Sequence, residues 1–288
     1  MYEKILIPLD GSELAEQAIS YAKGLAKKLN SEVILLNTFA SPDRLEDSLK
    51  TYMEKKADEL RSSGIKASSL HVHGNAATEI INFAEKNNIG LTIMSSHGCT
   101  GDRCWALGSI AYKVLQRSYV PTFLTRSLDT AYIDNDLRKI LLPLDGSTVA
   151  EAIIPYVEGI AKGMDSEVIL VRVIEPIRLP FMATYTYHEE YEKSLITKAE
   201  KEAESYLSKK ISVMQIKGIK ATSALLHGKA TESIFQYAED TSASLIALTT
   251  HGFSGIAKWA YGSVASHIVE VSPRPILLVR PPLPASDA

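Results

Sequence analysis

The chain has 288 residues, of which 45% are hydrophobic and 23% charged, and its 31 basic and 34 acidic residues give a net charge of -3. This length allows two domains of ordinary size, and the near-neutral charge argues against the strongly basic surface typical of nucleic-acid-binding domains. Two cysteines do not support a disulfide framework, no apolar run approaches the roughly 20 residues that span a bilayer, and the first residues carry no signal-peptide pattern. We therefore expect a cytoplasmic protein with neither a membrane nor a nucleic acid as its partner.

Five short apolar runs in the first half of the chain predict β-strands, at residues 4–9, 32–39, 67–73, 91–96 and 121–126. The second, fourth and fifth are continuous runs rather than strict alternations, which is typical of parallel strands buried on both faces. Between the first two runs, apolar residues recur at three- and four-residue steps and predict a helix with one apolar face. Because strands and helices alternate through short links, the sequence predicts a doubly wound α/β sheet with right-handed crossovers.

The whole series returns in the second half of the chain. KILIPLDGSELAE at residues 4–16 reappears as KILLPLDGSTVAE at residues 139–151, and SSHGCTGDRCWALGS at 95–109 reappears as TTHGFSGIAKWAYGS at 249–263. In the second copy Pro155 lies inside the first helical pattern, where a proline should kink or delay the helix. We predict two tandem domains, at residues 1–127 and 137–282, joined by a linker at 128–136 and followed by a loose tail at 283–288.

The two copies differ most after their second strands. The motif spacing is 135 residues before this point, from Lys4 to Lys139, and 154 residues after it, from His97 to His251, so copy two carries 19 additional residues. They lie around residues 175–194. They either lengthen a helix that packs with its loop on its own domain or form a flap over a ligand or partner surface.

The PLDGS motif lies where open parallel sheets bind ligands, at the carboxyl end of a strand. It places Asp10, or Asp145 in copy two, directly after the first strand. Gly11 permits a sharp turn, and Ser12 can cap the helix that follows. The carboxylate can accept a hydrogen bond from a ribose hydroxyl or hold a metal-bound water. The alternative is a turn at the start of a helix that meets no ligand.

A second motif follows the fourth strand and contains a His-Gly pair, nine further residues, and a Gly-Ser pair that opens the next helix. Its members are His97, Gly98, Gly108 and Ser109 in copy one, and His251, Gly252, Gly262 and Ser263 in copy two. Unpaired main-chain N–H groups at the glycines would form an electropositive cup for a triphosphate, helped by the helix dipole and the serine hydroxyl. The histidines either touch a phosphate or fix the loop through a backbone hydrogen bond.

These motifs resemble the universal stress protein family in its tandem two-domain form, and the resemblance covers nearly the whole chain. Its carrying features are KILIPLDGS, EVILL, SSHG followed by nine residues and GS, and the closing VPTFLTR and RPILLVR. The resemblance implies in each domain an open five-stranded parallel sheet with helices on both faces, a Rossmann-like fold of the adenine nucleotide alpha hydrolase-like kind. It also implies that the domains pair through their last strands as an intramolecular pseudo-dimer, and that two chains can pair as a homodimer.

The resemblance further implies an adenine nucleotide site in each copy, for ATP, ADP or AMP, with Mg²⁺ as a candidate companion ion. Phosphates would meet Gly98, Gly108 and Ser109 in copy one, and Gly252, Gly262 and Ser263 in copy two. Adenine and ribose would be bordered by Pro8, Leu9, Asp10 and Thr38, and by Pro143, Leu144, Asp145 and Val173. The family's first loop glycine is replaced here by Ser95 and by Thr249, whose branched side chain crowds the backbone approach more.

The expected function is a nucleotide-dependent switch in the stress response that acts through an unidentified protein partner, with no catalytic residue and no resident metal. One alternative is a slow metal-dependent ATPase that uses Asp10 or Asp145. Another is a scaffold that binds no nucleotide, which the two departures from the glycine pattern permit. A zinc site at Cys99 and Cys104 has unfavourable spacing, and a thiol switch at the same cysteines is a separate hypothesis.

Overall fold

The structure is a computed structural model that describes residues 1–40, 47–96, 107–126, 136–176, 185–250 and 262–281. In copy one the elements are β1 (Lys4–Pro8), α1 (Glu13–Leu29), β2 (Glu32–Phe39), α2 (Asp47–Ser62), β3 (Ala67–His73), α3 (Ala76–Lys86), β4 (Leu91–Ser95), α4 (Ser109–Arg117) and β5 (Thr122–Thr125). Each strand begins and ends within one residue of its predicted run, so the apolar runs located all five strands of this copy.

Copy two repeats this order with one helix divided in two. Its elements are β6 (Lys139–Pro143), α5 (Thr148–Glu151), α6 (Ile154–Met164), β7 (Glu167–Ile174), α7 (Tyr185–Ile216), β8 (Lys220–His227), α8 (Ala230–Asp240), β9 (Leu245–Thr249), α9 (Ser263–Val271) and β10 (Ile276–Val279). The division falls at Pro155, which is in the first turn of α6. The predicted interruption of the helix is confirmed, because a proline cannot donate the backbone hydrogen bond that would continue the helix from α5.

All ten strands form one sheet in the order β3-β2-β1-β4-β5-β10-β9-β6-β7-β8. Among the described strands, neighbours within a copy are parallel, and the one antiparallel pair is β5 with β10, where Phe123 is opposite Leu277. The predicted five-stranded parallel arrangement is therefore present in each half. The predicted pairing of the last strands is confirmed, and it joins the halves into a continuous sheet.

Helices cover both faces of the sheet and form two separate hydrophobic cores. Ile5 and Ile7 of β1 pack with residues of α1 and α2, whereas Leu6 lies on the opposite face with residues of α3 and α4. Copy two follows the same arrangement, with Leu141 on the face covered by α8 and α9. Because successive strand residues point to opposite faces, burial on both faces requires the continuous apolar runs seen in the sequence.

The additional residues of copy two lengthen α7, which has 32 residues where α2 has 16. The last residue of β8, His227, contacts Glu200 of α7 at 2.8 Å, which places Glu200 near the carboxyl edge of the sheet. The 15 residues that precede Glu200 in α7 form about 22 Å of helix at 1.5 Å per residue. The longer helix is confirmed, and a flap function stays a prediction. None of the described helices is long and apolar enough to cross a membrane.

Two arginines join the copies across the seam between β5 and β10. Arg126 donates through Nε to the carbonyl of Ser272 at 2.7 Å and through Nη2 to the carbonyl of Glu270, at the C-terminal end of α9. Arg280, its counterpart in the repeat, donates through Nη1 to the carbonyl of Gln116 in α4 at 2.6 Å. Each copy therefore supplies a cation to the C-terminal end of the other copy's last helix, where the helix dipole favours positive charge.

Candidate functional site

The strand order reverses between β1 and β4 in copy one and between β6 and β9 in copy two. Within these pairs, Ile5 is opposite Leu91 and Ile140 is opposite Leu245. Chain segments that leave two such strands turn to opposite faces of the sheet, and the crevice between them is where α/β sheets bind ligands. The structure thus brings both predicted motifs of each copy, the PLDGS turn and the start of α4 or α9, to the same edge.

The PLDGS turn is built in the same way in both copies. Gly11 and Gly146 have φ of 84° and 83°, a left-handed conformation that favours glycine. Oδ1 of Asp10 accepts hydrogen bonds from the Ser12 amide at 3.0 Å and the Ser12 hydroxyl at 2.6 Å, and the equivalent distances at Asp145 are 2.9 and 2.6 Å. One carboxylate oxygen of each aspartate therefore holds its own turn, a role that our sequence analysis missed.

The serine of each turn begins the following helix. Ser12 Oγ accepts a hydrogen bond from the Ala15 amide at 3.2 Å and caps α1, and the Ser147 hydroxyl caps α5 through the Ala150 amide at 3.1 Å. The predicted capping is confirmed. The aspartate is thereby fixed relative to both its strand and its helix, so its carboxylate is positioned at the sheet edge before any ligand arrives.

The residues predicted to border adenine and ribose divide into two groups. Pro8, Thr38 and their counterparts Pro143 and Val173 are half-buried at the carboxyl ends of adjacent strands, and their contact with adenine and ribose stays a prediction. Leu9 and Leu144 instead point into the hydrophobic core, and their amides donate to the carbonyls of Leu36 at 2.9 Å and Val171 at 2.8 Å. The side chains of these two leucines therefore belong to the core and are not placed to border a ligand.

The amides of Gly108 and Gly262 are not the unpaired donors that the sequence motif predicts. Gly108 donates to the carbonyl of Ser96 at 2.8 Å, and Gly262 donates to the carbonyl of Thr250 at 2.8 Å. These bonds close the base of each loop at the end of β4 or β9. The expectation was wrong for these two amides because neighbouring strand ends supply carbonyls in reach, which spacing alone cannot show.

Among the residues that the structure describes at this edge, the first-turn amides of α4 and α9 are the donors that remain. The first intrahelical bond of α4 runs from the Tyr112 amide to the Gly108 carbonyl at 2.9 Å, so the amides of Ser109, Ile110 and Ala111 precede it and have no intrahelical acceptor. Neither helix has a side-chain cap or an acidic residue in its first turn. In contrast to α1, which carries Glu13 and Glu16 there, the positive end of the dipole is left for an anion.

Part of each predicted site lies outside the described residues. This part includes Gly98, Gly252, His97, His251, Cys99 and Cys104. Ser95 and Thr249, which replace the family's first loop glycine, are described and are buried at the ends of β4 and β9. Within the described part of the chain, no group of three His, Cys, Asp or Glu side chains is placed to hold a metal ion.

A cluster beside the turn was missed by the sequence analysis. Glu16 accepts hydrogen bonds from Tyr52 at 2.8 Å and from Lys56 at 2.7 Å. Burial favours a higher pKa for Glu16, but the bonds from Lys56 and Tyr52 outweigh it and hold the pKa below its ordinary value. In copy two the corresponding pair, Lys210 and Glu151, is 2.6 Å apart. The repeated Tyr-x-x-x-Lys spacing in α2 and α7 was the signal that could have located it.

Comparison with known proteins finds the same family in both halves of the chain. A family model described as the universal stress protein family matches residues 1–126 and 136–280. Universal stress protein YxiE of Bacillus subtilis is 26% identical over 148 residues, which cover 44% of this chain and 100% of that protein. Universal stress protein MJ0531 of Methanocaldococcus jannaschii is 31% identical over 141 residues, which cover 44% of this chain and 83% of that protein. Each of these relatives corresponds to one half of the chain.

Solved structures match the tandem arrangement along nearly the whole chain. A universal stress protein from Archaeoglobus fulgidus aligns with a TM-score of 0.69 at 20% identity and covers 97% of this chain and 99% of its own. The protein PA1789 of Pseudomonas aeruginosa, described as functionally unknown, aligns with a TM-score of 0.74 at 18% identity and covers 97% and 93%. At these identities the similarity shows the fold alone.

Proposed function

The chain belongs to the universal stress protein family, and from this premise we propose that it binds ATP, or the related ADP or AMP, as a regulatory switch in the response to stress. The observation that carries the proposal is the pair of uncapped helix N-termini. In each copy, first-turn amides without an intrahelical acceptor and without a neighbouring acidic residue lie at the edge where the strand order reverses. Such a helix end is suited to phosphate.

The proposed ligand lies across the edge of the sheet. Its phosphates meet the helix N-terminus and the serine hydroxyl, Ser109 in copy one and Ser263 in copy two, with Gly98 or Gly252 in the preceding segment. Its ribose hydroxyls meet Asp10 or Asp145. Its adenine lies against the half-buried residues at the strand ends, which are Pro8 and Thr38 in copy one and Pro143 and Val173 in copy two. Mg²⁺ would bind to the phosphates and not in a protein cage, because magnesium commonly keeps waters and substrate phosphates as ligands.

We infer binding and not turnover. A general base has to be within hydrogen-bond reach of the attacking water, and one oxygen of Asp10 and of Asp145 already accepts two hydrogen bonds within its own turn. Nucleotide binding would change the surface that the segments leading into α4 and α9 present to a protein partner. We place this switch in the cytoplasm, with a homodimer as a candidate assembly.

Substituting Ser109→Asp and Ser263→Asp together tests the phosphate site without disrupting the fold. A carboxylate in the first turn of a helix stabilises it by about 0.3–1 kcal/mol, so thermal stability should be kept or raised. The same carboxylate about 6 Å from one phosphate charge costs about 3 kcal/mol at an effective dielectric of about 20. After salt screening we expect at least a roughly tenfold weaker affinity for ATP with Mg²⁺ by calorimetry.

The matched control carries Ser62→Asp and Ser212→Asp, which add two carboxylates at exposed positions toward the C-terminal ends of α2 and α7. This control should bind ATP like the wild type.

Mass spectrometry of natively purified wild-type protein should detect a co-purified adenine nucleotide. If the wild type releases no heat with ATP, the scaffold alternative replaces the proposal, and metal-dependent ATP turnover that is lost in Asp145→Asn would favour the ATPase.

A further inference from the structure

The two copies differ in charge beside their aspartate turns. Strands β2 and β7 have the same length and the same register with the strand that precedes the turn. At the sixth position of each strand, on the face covered by α2 or α7, copy one has Asn37 and copy two has Arg172. A neutral amide in one site is therefore matched by a guanidinium in the other.

Asn37 is used to hold the main chain of copy one. Its side chain is 3% exposed, and Nδ2 donates to the carbonyl of Leu9 at 2.8 Å. Beside the turn, Leu49 of α2 approaches Gly11, with Cδ1 3.3 Å from the position that a Cβ would take there. Copy one thus has a neutral amide and an apolar side chain against its turn, and the cation of the neighbouring cluster, Lys56, is paired with Glu16 at 2.7 Å.

Arg172 takes the corresponding place in copy two. Its Nη1 is 2.3 Å from the position that a Cβ on residue 146 would take, so the half-buried guanidinium rests against the glycine of the turn that carries Asp145. The nearby carboxylate of Glu151 is already paired with Lys210 at 2.6 Å. The Arg172 charge also acts on the Tyr206 hydroxyl of α7, whose pKa burial raises and Arg172 lowers, so the guanidinium lies among the polar groups beside the turn.

We propose that the copy-two site prefers an adenine nucleotide that carries a phosphate on the 2′- or 3′-oxygen of its ribose, whereas copy one takes the unsubstituted ribose. This inference rests on the nucleotide-binding function proposed above, with the ribose at Asp145. A guanidinium presents a planar fork of N–H donors that matches phosphate oxygens. Dinucleotide-binding folds use the same pairing, with an acidic residue for a ribose hydroxyl and a nearby arginine for a ribose phosphate. In copy one a ribose phosphate would face Asp10 without a guanidinium, because Asn37 takes the place of Arg172 and Lys56 is paired with Glu16.

Two ligands that differ only in the ribose phosphate test the preference, AMP and adenosine 3′,5′-bisphosphate. In calorimetry of the full chain, wild type should bind the bisphosphate at one of its two sites about 10- to 100-fold more tightly than AMP, the range for charge-assisted hydrogen bonds. Arg172→Asn, which installs the copy-one residue, should abolish this difference and change the AMP affinity by less than about twofold. Arg172→Lys should keep part of it, because it retains the charge without the fork.

Arg138→Asn is the matched control, since it removes one positive charge at an exposed position beside Asp136. It should behave like the wild type, and circular dichroism should show that all variants are folded. Equal affinities for the two ligands in the wild type, or a preference that survives in Arg172→Asn, would overturn this inference while leaving nucleotide binding intact. A wild type that binds neither AMP, ATP nor the bisphosphate would overturn the proposed function and this inference together.

Discussion

Replacing Arg126 with methionine tests how strongly the two copies are held together outside the sheet. The Arg126 side chain is buried, and its donors reach the carbonyls of Ser272 and Glu270 in the other copy. Methionine fills much of the same volume but cannot donate a hydrogen bond. The substitution therefore leaves two carbonyls at the C-terminal end of α9 without their partner, while the pairing of β5 with β10 is retained.

The expected loss follows from these two bonds and the cost of burying the cation. A hydrogen bond from a charged donor contributes about 1.5–3 kcal/mol, and a cation at a helix C-terminus adds about 0.3–1 kcal/mol. Burial lowers the pKa of Arg126, which shows that desolvation of the guanidinium offsets part of this gain. We expect Arg126→Met to lower the free energy of unfolding by about 2–4 kcal/mol.

Arg280→Met is the internal control for this reasoning. Arg280 is half-buried, makes one hydrogen bond to Gln116, and lies with Cζ 4.7 Å from the ring centroid of Tyr119. Because Arg280 makes one hydrogen bond fewer than Arg126 and its cation–π contact is partly exposed to solvent, Arg280→Met should lower the free energy of unfolding by about 1–2 kcal/mol. The two variants are counterparts in the repeat, so their difference reports the burial and the second hydrogen bond.

Urea denaturation followed by far-ultraviolet circular dichroism measures both variants against the wild type. A single shared transition for both copies is also expected, because the continuous sheet and the reciprocal arginines couple their unfolding. A loss below about 1 kcal/mol in Arg126→Met, or a larger loss in Arg280→Met than in Arg126→Met, would refute the assignment of these arginines as cross-copy helix caps.

Two further substitutions test the cluster beside the turn and the packing of the N-terminus. The lowered pKa of Glu16 stabilises the fold above the ordinary value of 4.5, so the stability advantage of wild type over Glu16→Gln should be full near neutral pH and shrink as pH falls below that value. A pH-independent difference in urea midpoints would contradict it. Gly90→Ala should cost about 2–3 kcal/mol, because its Cβ would lie 2.1 Å from the carbonyl oxygen of Met1; an unchanged midpoint would show that this contact is not tight.

Much of the fold could be predicted because its signals are local. Apolar runs located the strands of copy one to within a residue, and where a strand is buried on both faces, as β2 and β4 are, the run is continuous. Ser12 and Ser147 marked the starts of helices, and Pro155 marked the division between α5 and α6. The pairing of β5 with β10 was implied by the resemblance to the family, and the structure confirms it.

The candidate site could be predicted only in part. The residues alone indicate which motifs stand at strand ends, because each motif follows directly on an apolar run of the chain. The packing of the folded chain was needed to show that the Gly108 amide bonds to Ser96, that Arg126 reaches α9 in the other copy, and that Arg172 rests against the turn of Asp145. These three contacts depend on how the strands pair and how the helices pack. A local sequence pattern does not predict a contact between residues that are distant along the chain.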